Sequence, residues 1–222
     1  MRPLVLALSL SLATAAAFAA NNDVDKVNGS ITAEAGQSYG DLSTVNGSIV
    51  LKAGARAKDA ETVNGSVKGE DSIAVEDLST VNGSIRVGER ARIGGGVETV
   101  NGSIFIGRDG RVGKGIETVN GSIGVVATVI ARDIETVNGD ITLGANSHLR
   151  GGIKIARPTS NWMPVNLGNK RKPRIIIGPH AIVDGRLVFE REVTLYVHKT
   201  ARIGQVTGAT PVSYDSARAP EE

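Results

Sequence analysis

The chain has 222 residues, no cysteine and few aromatic side chains (three Tyr, three Phe and one Trp), and its 25 basic residues nearly balance its 23 acidic ones. The missing cysteines exclude a disulfide framework, and the scarce aromatic residues exclude a core filled by bulky rings. A formal net charge of +2 with interspersed signs is not typical of a general nucleic-acid binder, so we expect no nucleic-acid partner.

Residues 1–19 read as a secretory signal peptide. Arg2 supplies a short positive region, residues 4–12 are apolar, and Ala17–Ala19 has the small-x-small pattern that precedes cleavage. A buried helix or a membrane anchor is the alternative, but the apolar run is short for a membrane span. We therefore expect an exported protein of the periplasm, the outer-membrane surface or the extracellular space.

A Val-Asn-Gly-Ser-Ile motif recurs along the chain and sets its architecture. Close copies begin at Val27, Val45, Val63, Val81, Val100, Val119 and Val137, 18 or 19 residues apart. Within one copy, apolar or small residues alternate at intervals of four and two, at positions 81, 85, 87, 91, 93 and 97. An interval of two keeps side chains on one face of a strand, and an interval of four carries the chain around a corner.

This pattern predicts an all-β fold, a single parallel β-solenoid (β-helix) of about nine coils of 18–19 residues each. The extra residue of a longer coil is expected at a corner, such as Gly94–Gly96. We expect the solenoid over residues 20–206, with a loop insertion at 156–174, where the pattern lapses and three prolines occur. Residues 207–222 are rich in small residues and are predicted to be a disordered tail.

The asparagine of the motif forms a column along the predicted stack. Because it recurs at the structural period, we interpret it as a corner ladder, in which Asn and Gly adopt left-handed backbone angles and the stacked amides hydrogen-bond along the axis. Most of these sites also match the N-glycosylation acceptor pattern, although glycans one strand apart would not fit. The column comprises Asn28, Asn46, Asn64, Asn82, Asn101, Asn120 and Asn138.

The threonine before each motif valine is expected to face outward, with the valine in the core. Stacked outward threonines occur in ice-binding solenoids, and simple β-propensity is the alternative explanation. The motif is also preceded by glutamates, among them Glu98, Glu117 and Glu135. We expect an exposed acidic stripe, which a cation or outward arginines would relieve. The candidate arginines are Arg92, Arg111 and Arg132.

No group of residues predicts catalysis, and we expect no catalytic residue, no cofactor and no metal site. The segment around His180, Ile177–Ile182, resembles the hexads of acyltransferases that use a histidine, but no second acid, base or nucleophile accompanies it. A calcium site lacks the Asp-rich loop that such sites use. A hexapeptide-type transferase or a glycan-active β-helix therefore stays an alternative to a non-enzymatic protein.

The 156–174 insertion combines aromatic and basic residues and is the only non-repetitive surface that the sequence predicts, so it is the candidate contact with a partner. Its side chains suit an envelope protein or an anionic glycan or lipid, and a simple cover for the solenoid flank is the alternative. The candidate contact residues are Trp162, Met163, Lys170, Arg171, Lys172 and Arg174.

The Glu-Thr-Val-Asn-Gly-Ser-Ile repeats resemble those of bacterial putative adhesins of the head-GIN type. Stretches such as Val87–Gly95 resemble the polymer-forming bactofilins, which are right-handed β-helices that assemble end to end. The resemblance to bactofilins implies a right-handed coil, although hexad regularity alone also allows a left-handed one. Together the resemblances imply an adhesin-like or scaffold protein of the cell envelope, with self-association through end coils as the alternative.

Overall fold

The computed structural model describes residues 22–158 and 172–220, and all regular secondary structure in these ranges is β-strand. The strands are β1 (Val24–Asn28), β2 (Ile31–Ala33), β3 (Leu42–Asn46), β4 (Ile49–Leu51), β5 (Asp59–Asn64), β6 (Val67–Gly69), β7 (Ala74–Val75), β8 (Asp77–Asn82), β9 (Ile85–Val87), β10 (Arg92–Ile93), β11 (Val97–Asn101), β12 (Ile104–Ile106), β13 (Arg111–Val112), β14 (Ile116–Asn120), β15 (Ile123–Val125), β16 (Val129–Ile130), β17 (Ile134–Asn138), β18 (Ile141–Leu143), β19 (His148–Leu149), β20 (Ile153–Ile155), β21 (Arg174–Ile177), β22 (Ile182–Val183), β23 (Leu187–Phe189), β24 (Thr194–His198), β25 (Arg202–Ile203), β26 (Val206–Thr207) and β27 (Pro211–Tyr214).

Three parallel sheets run along the stack. Sheet 1 has the order β1-β3-β5-β8-β11-β14-β17-β20-β23-β26, sheet 2 the order β2-β4-β6-β9-β12-β15-β18-β21-β24-β27, and sheet 3 the order β7-β10-β13-β16-β19-β22-β25. Coils that contain all three strands pass from sheet 2 to sheet 3 to sheet 1, and in the first two coils Ser38 and Arg56 extend sheet 3 by isolated bridges. The predicted parallel β-solenoid is therefore confirmed. We number the coils by their sheet 2 strand, so coil 1 begins with β2 and coil 10 with β27.

The core is a continuous column of aliphatic side chains inside the three sheets. In coil 4, for example, Ile85, Val87, Ala91, Ile93 and Val97 are all buried. Strand pairing places the four of them that lie in strands on their counterparts in the next coil, as with Ile93 on Val112. A single coil has no partner for its inward side chains, so stacking creates the core.

The corner between sheets 3 and 1 accommodates the first change in coil length, between coils 3 and 4. Val75 pairs with Ile93, and Leu78 pairs with Val97. Two residues lie between Val75 and Leu78, whereas three lie between Ile93 and Val97. The extra residue lies within Gly94–Gly96, as predicted. The Asp77 carboxylate accepts the Gly96 N–H at 2.6 Å, which satisfies the added peptide group.

The last turn of the stack lies in a segment for which the sequence predicts disorder. Strand β27 pairs with β24, with Leu195 opposite Pro211 and His198 opposite Tyr214. The Tyr214 hydroxyl donates to the carbonyl oxygen of Ile177, and its side chain is buried. The predicted disordered tail is therefore wrong for residues 207–214, and the solenoid has about ten turns rather than about nine. The sequence misses this turn because the strand lacks the repeat signature.

The corner between sheets 2 and 3 contains one left-handed residue in each of coils 1 to 8. Their φ angles lie between 45° and 70°, and only the first two are glycine. The column comprises Gly36, Gly54, Ser72, Arg90, Asp109, Ala127, Asn146 and His180. The conformation is therefore fixed by the coil geometry and not by residue type, since most side chains disfavour it.

Candidate interaction surfaces

The corner between sheets 1 and 2 carries the asparagine ladder. Each side-chain amide donates from Nδ2 to Oδ1 of the preceding asparagine, at 2.9–3.1 Å, from Asn46 on Asn28 through Asn138 on Asn120. The serines two residues later form a second ladder, in which each backbone N–H donates to the preceding Oγ, as from Ser66 to Ser48 at 3.2 Å. All side-chain amides of the asparagine ladder therefore point the same way along the axis.

The glycine of the motif permits close stacking of successive coils. A Cβ added at Gly102 would lie 1.8 Å from the Gly83 carbonyl oxygen, and one at Gly65 would lie 1.9 Å from the Gly47 oxygen. None of the ladder asparagines has a positive φ. The predicted left-handed asparagine is therefore wrong: the left-handed column lies at the corner between sheets 2 and 3, and the motif glycine is required because the backbones approach closely.

The threonine and valine columns face opposite to the predicted directions. Thr80 and Thr99 are 1% exposed, whereas Val81 and Val100 lie half-buried on the outer face of sheet 1. The Thr80 hydroxyl donates to the Gly65 carbonyl oxygen at 2.8 Å, and the other threonines from 44 to 118 make the same bond. The hydroxyls thus satisfy backbone carbonyls at the corner. An outward threonine array, on which ice binding depends, is not formed by these residues.

An acidic column lies on the outer face of sheet 1, beside the valines. Burial raises the pKa of Glu117, and the adjacent carboxylates of Glu98 and Glu135 raise it further. Burial, followed by the charge of Asp77, likewise raises the pKa of Glu98. Repulsion within the column is therefore only partly relieved by its neighbours. Strand pairing places Glu98 on Glu117 and Glu117 on Glu135, so the three side chains follow one another along the axis.

The arginines expected to relieve this column lie elsewhere. Arg92 and Arg111 project from sheet 3, and Arg132 lies at the corner between sheets 3 and 1. In the part of the chain that the structure describes, none of the three makes an ion pair with a glutamate of the column. The cations that act on the column are lysines: Lys154 Nζ lies 3.9 Å from Glu135 Oε2, and the charge of Lys114 partly opposes the rise in the pKa of Glu98. The predicted intramolecular relief by arginine is therefore wrong.

Sheet 3 carries its own row of exposed basic side chains. Arg92 pairs with Arg111 in the next coil and with Ala74 in the preceding one, and Arg56 bridges to the other side of Ala74. A shallow groove of about 410 Å³ lies over Ala74, lined among others by Arg56, Lys58 and Arg92. The sequence contains the signal for this row, because arginine recurs there at the coil period.

The base of the 156–174 insertion is held by the next corner of the solenoid. On the exit side, the Arg157 N–H donates to Glu190 Oε2 at 3.1 Å. On the return side, Lys172 Nζ lies 3.0 Å from Glu192 Oε2. Between these two glutamates, Arg191 donates to Asn138 Oδ1 at 2.5 Å, so it caps the acceptor end of the asparagine ladder. Residues 190–192 therefore contact both stems of the insertion and cap the end of the ladder.

The insertion leaves the register of the stack intact. It replaces the Asn-Gly-Ser corner of coil 7, between the end of β20 at Ile155 and the start of β21 at Arg174. Ile141 still pairs with Ile175. Asp140, which stands in the motif's serine position, accepts the Arg174 N–H at 2.8 Å, as the serines do in earlier coils.

Of the predicted contact residues, Lys172 and Arg174 lie within the described ranges, whereas Trp162, Met163, Lys170 and Arg171 lie outside them, as does the predicted signal peptide. Arg174 is half-buried, and its guanidinium carbon lies 5.1 Å from the ring centre of Tyr196. Arg174 therefore belongs to the solenoid wall, while exposed Lys172 stands at the base of the insertion.

The three histidines do not form a common site. His180 is exposed at a corner, and its backbone N–H donates to Thr200 Oγ1 at 2.9 Å. His148 Nε2 lies 2.7 Å from Asp184 Oδ2 on the outer face of sheet 3. His198 is buried edge-on against the Tyr214 ring, with 5.0 Å between ring centres. Within the described ranges, no hydrogen bond or ion pair joins the His180 imidazole to another side chain.

Among the described residues, no three or more His, Cys, Asp or Glu side chains are arranged to hold a metal ion. The same ranges contain no helix with the length and apolar character needed to cross a membrane.

Comparison with protein-family models, with curated proteins and with solved structures finds no match to this chain. The class that the structure defines is therefore the fold alone, a parallel β-solenoid of about ten turns.

Proposed function

We propose that this chain is an exported, non-enzymatic structural or interaction protein of the bacterial cell envelope, which presents the 156–174 insertion to an envelope partner from a regular solenoid. The observation that supports this most directly is the anchoring of both stems of the insertion by Glu190 and Glu192. A segment whose base is fixed in this way, without disturbing the stack, is a suitable element for presentation to a partner.

The basic residues at and near the return stem favour an anionic partner. Lys170, Arg171 and Lys172 are consecutive, and Trp162 with Met163 adds apolar contact surface. Guanidinium and ammonium groups beside an aromatic ring suit phosphorylated or acidic glycans and lipid head groups. We therefore expect the contact to weaken as salt screens the charges.

Both ends of the described stack favour this proposal over end-to-end polymerisation. In β1, Lys26 occupies the inward position that threonine has in the next coils, and its Nζ donates to the Ser30 carbonyl oxygen at 2.8 Å. An inward-pointing charge on an edge strand discourages pairing with another chain. At the opposite end, β27 begins with Pro211, which has no N–H to donate.

The test exchanges the insertion for the corner that other coils use. Replacing residues 156–174 with Val-Asn-Gly-Ser rebuilds a signature corner between Ile155 and Ile175, so the variant should fold with an unchanged β spectrum. We expect the full chain, but not this variant, to co-sediment with isolated envelope fractions, and charge reversal of Lys170, Arg171 and Lys172 to reduce the bound fraction at least tenfold. Equal binding by all three proteins would overturn the loop contact.

Export is tested separately by expressing the full chain in a Gram-negative host and fractionating the cells. We expect the protein outside the cytoplasm with an intact mass that corresponds to cleavage near Ala19. A protein of full-length mass that stays in the cytoplasm would contradict the proposed location.

A further inference from the structure

Sheets 1 and 3 each carry one outward column in coils 1 to 5 whose charged members share a sign, and the two signs are opposite. Sheet 1 also carries Asp59 and Asp77, which are ion-paired with Lys58 and Lys114 and belong to neither column. From coil 1 to coil 5, the sheet 3 column reads Ser38, Arg56, Ala74, Arg92 and Arg111. The sheet 1 column reads Ser43, Glu61, Ser79, Glu98 and Glu117.

The two columns match coil by coil from coil 1 to coil 5, and the match ends in coil 6, where Val129 lies on sheet 3 and Glu135 on sheet 1. Every one of these coils with an arginine on sheet 3 has a glutamate on sheet 1, and the two coils with a small neutral residue on sheet 3 have serine on sheet 1. Both faces also share one spacing, because the same coils build them, at about 4.8 Å per strand. A surface that repeats with this spacing fits best against another surface that has the same repeat.

The charges of the arginine column have no ion-pair partner among the described residues. The side chains of Arg56, Arg92 and Arg111 are exposed, and within the described residues none of them makes an ion pair. Charge complementarity between two faces that do not contact each other in one molecule indicates contact between molecules.

We propose that this chain associates side by side with a second copy of itself, with sheet 3 of one copy packed in parallel and in register against sheet 1 of the next. Of the parallel and antiparallel alignments of the two columns, only the in-register parallel one places Arg56, Arg92 and Arg111 all opposite glutamate. This association is independent of the 156–174 insertion and therefore of the proposed envelope contact.

The half-buried valines beside the acidic column add an apolar component to this interface. The column runs from Val45 to Val137 on the outer face of sheet 1 and lies next to the glutamates. The methylene groups of an arginine side chain can cover such a stripe while its guanidinium group reaches a carboxylate. The contact joins two different surfaces, so each copy keeps one face of each sign available for a further copy.

The first test measures the mass of the purified full chain by sedimentation velocity at two ionic strengths. We expect species larger than a monomer in about 0.01 M salt and dissociation in about 1 M salt, where the Debye length falls from about 30 Å to about 3 Å. The loop-replaced variant should behave like the parent. A monomer at both ionic strengths, or an assembly that ignores salt, would overturn the proposal.

Charge reversal on one face at a time makes the test specific. Arg92→Glu with Arg111→Glu makes both faces acidic, and Glu98→Arg with Glu117→Arg makes both basic, so each variant alone should associate at least tenfold more weakly. An equimolar mixture of the two should regain association, because opposite faces meet again. Lys68→Glu with Arg86→Glu, exposed on sheet 2, is the matched control and should associate like the parent. Failure of the mixture to recover would count against the face assignment.

The register is tested with cysteines, since the chain has none of its own. Ser38→Cys in one copy and Ser43→Cys in another lie in coil 1 on opposite faces of the interface. Mixing the two under oxidising conditions should give a covalent pair, which 1 M salt suppresses. Ser38→Cys mixed with Ser216→Cys, near the other end, should give none. A preference for the second pair would overturn the in-register arrangement.

Discussion

The coils before and after the 156–174 insertion form the same solenoid with different corners. Before it, the sheet 1 strands β3, β5, β8, β11, β14 and β17 carry an inward threonine and lead into an Asn-Gly corner, which Ser or, at position 140, Asp completes. Directly before the insertion Ile155 occupies the threonine position, and after it Phe189 does, followed by a corner built from residues 190–193. The strands nevertheless continue in register across the boundary. The comparison shows that the inward aliphatic positions define the coil, whereas the corner chemistry is interchangeable as long as backbone groups are satisfied.

The largest loss of stability is expected at the glycine of the Asn-Gly-Ser corner, which leaves no space for a larger residue. Gly102→Ala places a Cβ 1.8 Å from the Gly83 carbonyl oxygen, so the stack must separate locally, and we expect a loss of about 4 kcal/mol or failure to fold. Gly124→Ala is the matched control on sheet 2, where the added Cβ meets only the Phe105 ring at 3.4 Å. Urea denaturation monitored by circular dichroism measures both. A fully stable Gly102→Ala protein would contradict the close stacking.

The boundary between the two kinds of coil depends on Arg191. Arg191→Met removes the donor to Asn138 Oδ1 and to the Val137 carbonyl oxygen, and we expect a loss of about 2 kcal/mol in the free energy of unfolding. Arg186→Met, on an exposed side chain of the preceding corner, should change stability by less than about 0.5 kcal/mol. Equal effects of the two substitutions would mean that the ladder needs no cap.

Two threonines of the same column should respond differently to the same substitution. Thr80→Val removes a hydrogen bond to the Gly65 carbonyl oxygen and should cost about 1 kcal/mol. Thr136, next to the insertion, is buried and its Oγ1 has no hydrogen-bond partner, so Thr136→Val should be neutral or stabilising by up to about 1 kcal/mol. Thermal unfolding of both variants measures the difference, and a larger loss for Thr136→Val would reverse the interpretation.

The smallest effect on stability is expected for the acidic column, which ends at Glu135, one coil before the insertion. Because the pKa of Glu117 is raised in the fold, ionisation of this carboxyl group destabilises the folded protein. This destabilisation is absent at pH values below the ordinary pKa near 4.5 and is complete above the raised pKa. The parent should therefore lose stability relative to Glu117→Gln as pH rises through this window. Unfolding midpoints measured from pH 4 to 8 test this, with Glu34→Gln on an exposed corner as the control.

Much of the fold could be predicted because the inward residues are aliphatic and recur at the coil period. The inward orientation of the threonines and the outward orientation of the valines could not be predicted, because the two residue types alternate along the same strand. In the sequence, the interval of four residues from Val81 to Ile85 matches the interval at the other corners. In the structure, the inward residues that flank this corner are Thr80 and Ile85, which are five residues apart. Burying a hydroxyl is favourable here only because a corner carbonyl needs a donor, and that contact comes from the preceding coil.

Less could be predicted from the sequence about the candidate interaction surfaces. The position of the arginines in the repeat predicts that they are exposed, but not that the sheet they occupy differs from that of the glutamates. The anchoring of the insertion by Glu190 and Glu192 also lacks a sequence signal, because each partner lies at least 20 residues away along the chain. The sequence separation of these contacts depends on the number of residues in the insertion, because strand pairing continues only after it.

The uniform direction of the asparagine ladder determines where coils can be added to the stack or removed from it. Its acceptor end is closed by Arg191, so a new coil added after Asn138 would displace that cap. A coil duplicated between two signature corners would instead find the same amide, serine and glycine contacts above and below it. The stack can therefore be lengthened or shortened internally in steps of one 18- or 19-residue module. A module such as coil 4 or coil 5 brings one arginine and one glutamate to the two charged faces, so both faces would grow together.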